Sequence, residues 1–98
     1  MGIAVERDLR VVAEIARTCD PGLELYVFGS ALTATEHPDD LDILVIYRDA
    51  RHVDHLRQLL YTADLDLPLD LVALTPEEET HYRFIARTGA VRLRLASA

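Results

Sequence analysis

Two aspartates, Asp40 and Asp42, stand at the head of the apolar run Ile43-Leu44-Val45-Ile46-Tyr47, and a third, Asp70, stands near the head of a similar run, Leu71-Val72-Ala73-Leu74. If each run is a strand, side chains alternate between the two faces of a sheet, so carboxylates at i and i+2 share a face. Like charges held that close resist ionisation unless a cation lies between them. Paired carboxylate oxygens with room left for water and phosphate suit Mg²⁺, whereas Zn²⁺ favours His and Cys. Upstream of the first pair, Gly29-Ser30 closes the apolar run Leu25-Tyr26-Val27-Phe28. A Gly-Ser turn and paired carboxylates are together what phosphate chemistry needs.

The elements that must position these residues follow from the spacing of apolar positions. Val5, Leu9, Val12, Ala16 and Cys19 recur at helical intervals, with Glu6, Arg7, Arg10, Glu14 and Arg17 on the other side, so a first amphipathic helix should run to Asp20-Pro21-Gly22. A buried strand is expected over 23–28, one helical turn over 31–34, and a loop over 36–39 in which Pro38 steers His37 away from helix. A second strand over 40–47 turns from alternation into a continuous β-branched run, the mark of a strand covered on both faces. Asp49 can cap a helix carrying Val53, Leu56, Leu60 and Ala63 on one side.

Pro68 should precede a third strand over 69–74, since proline cannot donate to an interior ladder. Thr75 as N-cap, Pro76 at the first helical position and Glu78 completing a capping box open a last helix, expected to reach Thr88 and stop at Gly89. The tail over 91–95 alternates like an edge strand. The six aromatic residues, Tyr26, Phe28, Tyr47, Tyr61, Tyr82 and Phe84, are expected mostly in the core. This order gives one α/β domain spanning 1–98: a small sheet of three to four strands flanked by about four helices. The sheet should be mixed, because the first two strands are joined too briefly for a full crossover. If the third strand lies beside the second, Asp70 approaches Asp40 and Asp42 in a cluster able to hold two metal ions.

Composition removes several alternatives. A formal net charge of −7 opposes broad nucleic-acid binding, which depends on cationic neutralisation of phosphates. All 10 basic residues are arginine, so the Gly-Lys-Ser/Thr of a Walker phosphate loop is absent. A lone Cys19 excludes an internal disulfide and a cysteine zinc site, and His52, His55 and His81 form no zinc pattern. Asp64 and Asp66 read as loop charges, and the Glu77-Glu78-Glu79 run as a helix start complementing its dipole. No apolar run approaches the ~20 residues of a membrane span, and the first residues lack the pattern of a signal peptide, so a cytoplasmic protein is expected.

Phe28-Gly29-Ser30, then Asp40-Leu41-Asp42-Ile43, then a strand-borne Asp70 resembles the signature of the DNA polymerase β-type nucleotidyltransferase superfamily, in particular its minimal nucleotidyltransferases. The resemblance implies the nucleotidyltransferase fold, a two-ion Mg²⁺ site on Asp40, Asp42 and Asp70, and a nucleoside triphosphate held at Gly29 and Ser30. The nucleoside monophosphate would pass to a hydroxyl on a protein, an RNA end or a small molecule, with release of pyrophosphate. Asp70 would also accept or orient the proton of the attacking hydroxyl. Minimal members often carry basic residues and a second glycine after Gly-Ser, where this chain has Ala31-Leu32-Thr33-Ala34-Thr35. A triphosphate would need its cation from elsewhere, with Arg48 and Arg83 as candidates. The acceptor would bind through a partner chain, a homodimer or an exposed face. The competing reading is a non-catalytic module of the same fold, antitoxin-like and paired with a helical partner protein.

Overall fold

The computed structural model describes residues 3–33 and 40–94. The loop expected at 36–39, with His37, lies outside the described residues, as do Ala34 and Leu95 at the ends of two expected elements. Helix α1 (Ile3–Cys19) buries Val5, Leu9, Val12 and Ala16 along the stripe that their spacing predicts. It stops where the Asp20 carboxylate accepts the Gly22 N–H at 3.0 Å, a local bond that competes with another helical turn. Strand β1 (Glu24–Phe28) alternates, with Leu25 and Val27 buried.

After the single turn of α2 (Ser30–Thr33), strand β2 (Leu41–Ile46) is buried without interruption from Ile43 to Ile46, as a strand covered on both faces should be. Helix α3 (Ala50–Thr62) starts at Asp49, whose carboxylate accepts both the backbone N–H and the guanidinium of Arg51. Those bonds hold its pKa at about 2, below the ordinary 3.8. Strand β3 (Leu69–Leu74), helices α4 (Pro76–Tyr82) and α5 (Phe84–Thr88) and strand β4 (Val91–Leu93) follow.

The four strands form one mixed sheet in the order β3-β2-β1-β4. β1 runs antiparallel to β2 and to β4, and β2 runs parallel to β3. Residues opposite each other in a register share a face, which divides the sheet cleanly. Leu25, Val27, Leu41, Ile43 and Val45 form one core cluster with the apolar stripes of α1 and α3. The other face carries Tyr26, Phe28, Asp42, Leu44, Ile46 and Asp70, and α4 and α5 lie on that side, with the ring of Phe84 set edge-on to Phe28 at 4.9 Å. Among the described residues no helix is long and apolar enough to cross a membrane.

The last helix departs from expectation. The Thr75 capping box is present and Gly89 ends the segment in the left-handed conformation, but Arg83 (φ 54°, ψ 42°) breaks the run into α4 and α5. A left-handed non-glycine residue costs roughly 1–2 kcal/mol. The edge-to-face aromatic pair, worth roughly 0.5–1.5 kcal/mol beyond its buried area, offsets much of that cost. The Glu79 carboxylate adds a charge-assisted bond by accepting the Ile85 N–H at 3.2 Å, which caps α5.

The aromatic residues are corrected as well: none of the six is in the buried core, Tyr26, Phe28, Tyr47 and Phe84 being half-buried. Tyr61 is 91% exposed and Tyr82 is 50% exposed rather than in the core. Tyr61 follows Leu60 by one residue, and the ~100° between successive helical positions carries it off the buried stripe. Ala63 lies just past the end of α3 as its C-cap.

One buried charge escapes the apolar pattern. Asp8 on α1 is fully buried, and its two carboxylate oxygens accept the N–H groups of Asp66 and Leu67, each at 2.9 Å. Arg7 meanwhile binds the Asp66 carboxylate at 2.8 Å, so the segment leading into β3 is fastened to α1. Replacing Asp8 by Ala should orphan both N–H groups and cost about 3 kcal/mol in equilibrium urea unfolding. Asp8→Asn, which keeps one strong acceptor, should cost less. A loss below ~1 kcal/mol for Asp8→Ala would mean that the segment does not depend on this anchor.

Candidate functional site

The site is built where the end of β1 meets the starts of β2 and β3. Phe28 stands opposite Asp42 in the antiparallel register, and Asp42 stands opposite Asp70 in the parallel one. The three side chains therefore form a single row across one face, on strands whose axes lie ~4.8 Å apart. The Leu41 N–H donates to the Pro68 carbonyl at 2.8 Å, which locks the start of both parallel strands together. Asp40 comes two residues before Asp42, on the same side but beyond the strand, and is exposed. Its carbonyl accepts the Ser30 hydroxyl at 3.4 Å, so the serine ties the turn to the entry of β2.

Gly29 explains itself by position. Its φ of 75° is a conformation that side chains resist, and a Cβ built there would overlap the Asp42 carboxylate, whose Cγ would lie only 3.0 Å away. The backbone of the turn is thus pressed against the carboxylate, a closeness that only glycine permits. No Arg or His among the described residues makes an ion pair with Asp40, Asp42 or Asp70; the ion pairs among them are Arg7 with Asp8, Asp64 and Asp66, Arg51 with Asp49, and Arg92 with Glu24, while His52 Nδ1 lies 2.9 Å from the Asp20 carboxylate. Partial burial, reinforced by the negative charges of Asp40 and Asp70, pushes the Asp42 carboxyl above its ordinary 3.8.

Every sequence-derived site residue thus falls at this corner: Gly29 and Ser30 on the turn, Asp40 and Asp42 at the start of β2, Asp70 on β3. The row is nevertheless open. Among the described residues no three His, Cys, Asp or Glu side chains gather closely enough to hold an ion. The side chains present are hard oxygen donors, the ligand type that Mg²⁺ takes.

Of the two candidate cations, Arg48 lies six residues beyond Asp42, ~20 Å along the strand direction, and is placed at the wrong end. Arg83 directly precedes Phe84, whose ring rests on Phe28 in the same row as Asp42. That aromatic contact was not legible from spacing, because it joins residues at opposite ends of the chain. A cleft of about 430 Å³ lies elsewhere, between the end of α3 and β3, and its strand walls are Leu69 and Leu71, on the face opposite Asp70. No protein-family model matches the chain. No curated protein sequence matches it either.

Two outcomes test this corner. Gly29→Ala should lower the thermal midpoint, by the equivalent of about 2 kcal/mol or more, since it adds left-handed strain to overlap with Asp42. For Asp42 the sign follows from the raised pKa: the folded state holds the proton more tightly than the unfolded chain, so stability is lost as pH rises through the raised value. Asp42→Asn should therefore melt at a higher temperature than the wild type at pH 7. The advantage should shrink on acidification through the raised pKa and vanish below about 3.8, as thermal melts across the pH range would show.

Proposed function

We propose that this chain is a Mg²⁺-dependent nucleotidyltransferase of the polymerase β type, acting in the cytoplasm on a nucleoside triphosphate and a hydroxyl acceptor. The observation that carries the reading is the register of Asp42 with Asp70, with the Gly29 turn pressed onto the Asp42 carboxylate. Asp40, Asp42 and Asp70 would hold Mg²⁺, which supplies charge neutralisation for the phosphates. Gly29 keeps the backbone of the turn against the Asp42 carboxylate, so a phosphate bound to a metal on Asp42 would lie within reach of the turn. Ser30, at the same turn, offers its hydroxyl to a phosphate oxygen once it leaves the Asp40 carbonyl.

In the reaction the acceptor oxygen bonds to the α-phosphorus, the bond from the α-phosphorus to the bridging oxygen breaks, and pyrophosphate departs. The hydroxyl proton passes to Asp70, the most exposed carboxylate that is part of a strand in the row. Asp42 is less suited to that role, being pressed under the turn.

A second reading, a non-catalytic module of the same fold working with a helical partner, is favoured by the absence of a basic side chain at 31–33. Turnover separates the two. Pyrophosphate release with Mg²⁺, a nucleoside triphosphate and a panel of hydroxyl acceptors should fall about 10²-fold or more in Asp42→Asn and Asp70→Asn, with unchanged circular dichroism. No release with any triphosphate, together with no calorimetric heat on adding triphosphate and Mg²⁺, would overturn the catalytic reading.

A further inference from the structure

Arg83 holds a left-handed backbone at a helix junction where glycine would be the unstrained choice, and Gly89, at the end of α5, shows that choice made. Among the described non-glycine residues it is the only one with positive φ. The junction is held on both sides: the Arg83 N–H donates to the Glu79 carbonyl at 2.7 Å, and the Glu79 carboxylate caps Ile85. The strain is therefore maintained by the surrounding bonds rather than relaxed, a condition that recurs where a side chain has work to do.

The charge balance supplies that work. The carboxylate row has no ion pair with a described cation, and the turn above it carries no basic residue as far as Thr33. The arginines of α1 and α3 lie across the sheet, Arg92 is bound to Glu24, and Arg48 and Arg94 lie toward the far end of the strands. This leaves Arg83 at the α4–α5 junction and Arg87 within α5, and of the two it is Arg83 that directly adjoins the Phe84 ring set on Phe28. Arg83 is exposed and forms no ion pair or side-chain hydrogen bond with a described residue, and its neighbour Phe84 is fixed on Phe28 beside Asp42.

Resting on the nucleotidyl-transfer reading above, we propose that Arg83 is the triphosphate-binding cation of this site, delivered by the left-handed junction in place of the basic loop residues that the Gly29–Ser30 turn lacks. A guanidinium reads phosphate oxygens bidentately and stays charged at any working pH. Its preference is for the terminal phosphates of a triphosphate, because Asp40, Asp42 and Asp70 repel an anion that brings neither metal nor a second cation contact. Phe84 serves as the fixed point that keeps the junction, and with it Arg83, at the end of the row.

Isothermal titration of the full chain with a nucleoside triphosphate and Mg²⁺, and separately with the corresponding monophosphate, tests this alongside thermal melting. Arg83→Gly relieves the strain, so its melting midpoint should equal or exceed that of the wild type while triphosphate binding weakens about tenfold, the loss of one charge-assisted contact. Monophosphate binding should change little, and Arg83→Lys should recover part of the triphosphate affinity. Undiminished triphosphate binding in Arg83→Gly overturns the inference while leaving the site reading intact, as does a comparable loss in Arg87→Ala with Arg83→Gly unaffected. Absence of triphosphate binding by the wild type instead removes the site reading, and this inference with it.

Discussion

Parallel pairing of β2 with β3 is the constraint on which the candidate site depends. Parallel neighbours cannot be joined by a tight turn; the chain must cross over, and α3 makes that crossing between Asp49 and Ala63. The return is then fixed twice, by the bond from the Leu41 N–H to the Pro68 carbonyl and by the Asp8 carboxylate receiving the N–H groups of Asp66 and Leu67. A slip of one residue would turn Asp70 toward the α1–α3 core and Leu71 toward Asp42. Asp8, remote from any phosphate chemistry, thus helps decide which side chain stands next to Asp42.

The two faces of the sheet divide the labour. The α1–α3 face is continuous hydrocarbon, and each fully buried Leu or Val there contributes roughly 1.5–3 kcal/mol. The opposite face starts polar and becomes apolar: the row of Phe28, Asp42 and Asp70 gives way to Leu44 and Ile46, both buried. Helices α4 and α5 lie on that side, so the acid row stands at the margin of a covered surface. Its position is a compromise. Further under cover the carboxylates would be harder to ionise, as the raised Asp42 already indicates; further out they would lose the Gly29 turn.

Much of this was legible because it rests on local chemistry. Helical spacing in Val5, Leu9, Val12 and Ala16, the alternation of β1, the Asp49 and Thr75 caps and the Gly89 stop are each decided within a few residues. The candidate residues were legible as types and spacing, but Asp70 joins Asp42 only through the pairing of β2 with β3, which the sequence offered as a condition and not as a local fact. What was not legible joins distant segments. The break at Arg83 follows from Phe84 meeting Phe28, and nothing near Arg83 in sequence announces a left-handed residue. Asp8 had a local sign, lying three residues after Val5 and four before Val12 within the apolar stripe, but its partners Asp66 and Leu67 are 58 and 59 residues away. Aromatic character does not carry a ring into the core: Tyr61 and Tyr82 are exposed, and the buried core is built from aliphatic side chains.

Two backbone exceptions differ in kind, one in the turn against Asp42 and one next to Phe84, whose ring meets Phe28. At Gly29 sterics alone account for the residue: positive φ and the overlap with Asp42 both exclude a side chain, so the geometry selects its own occupant. At Arg83 sterics argue the other way, because glycine or asparagine would fill a left-handed junction with less strain. The bonds from Glu79 and the Phe28–Phe84 contact explain how the junction survives, but they act through backbone groups and neighbouring rings, and none of them requires an arginine. The fold therefore accounts for the conformation at 83 without accounting for the side chain. A residue that costs stability and whose side chain makes no ion pair or hydrogen bond among the described residues is where the demands of function, rather than of folding, are to be sought.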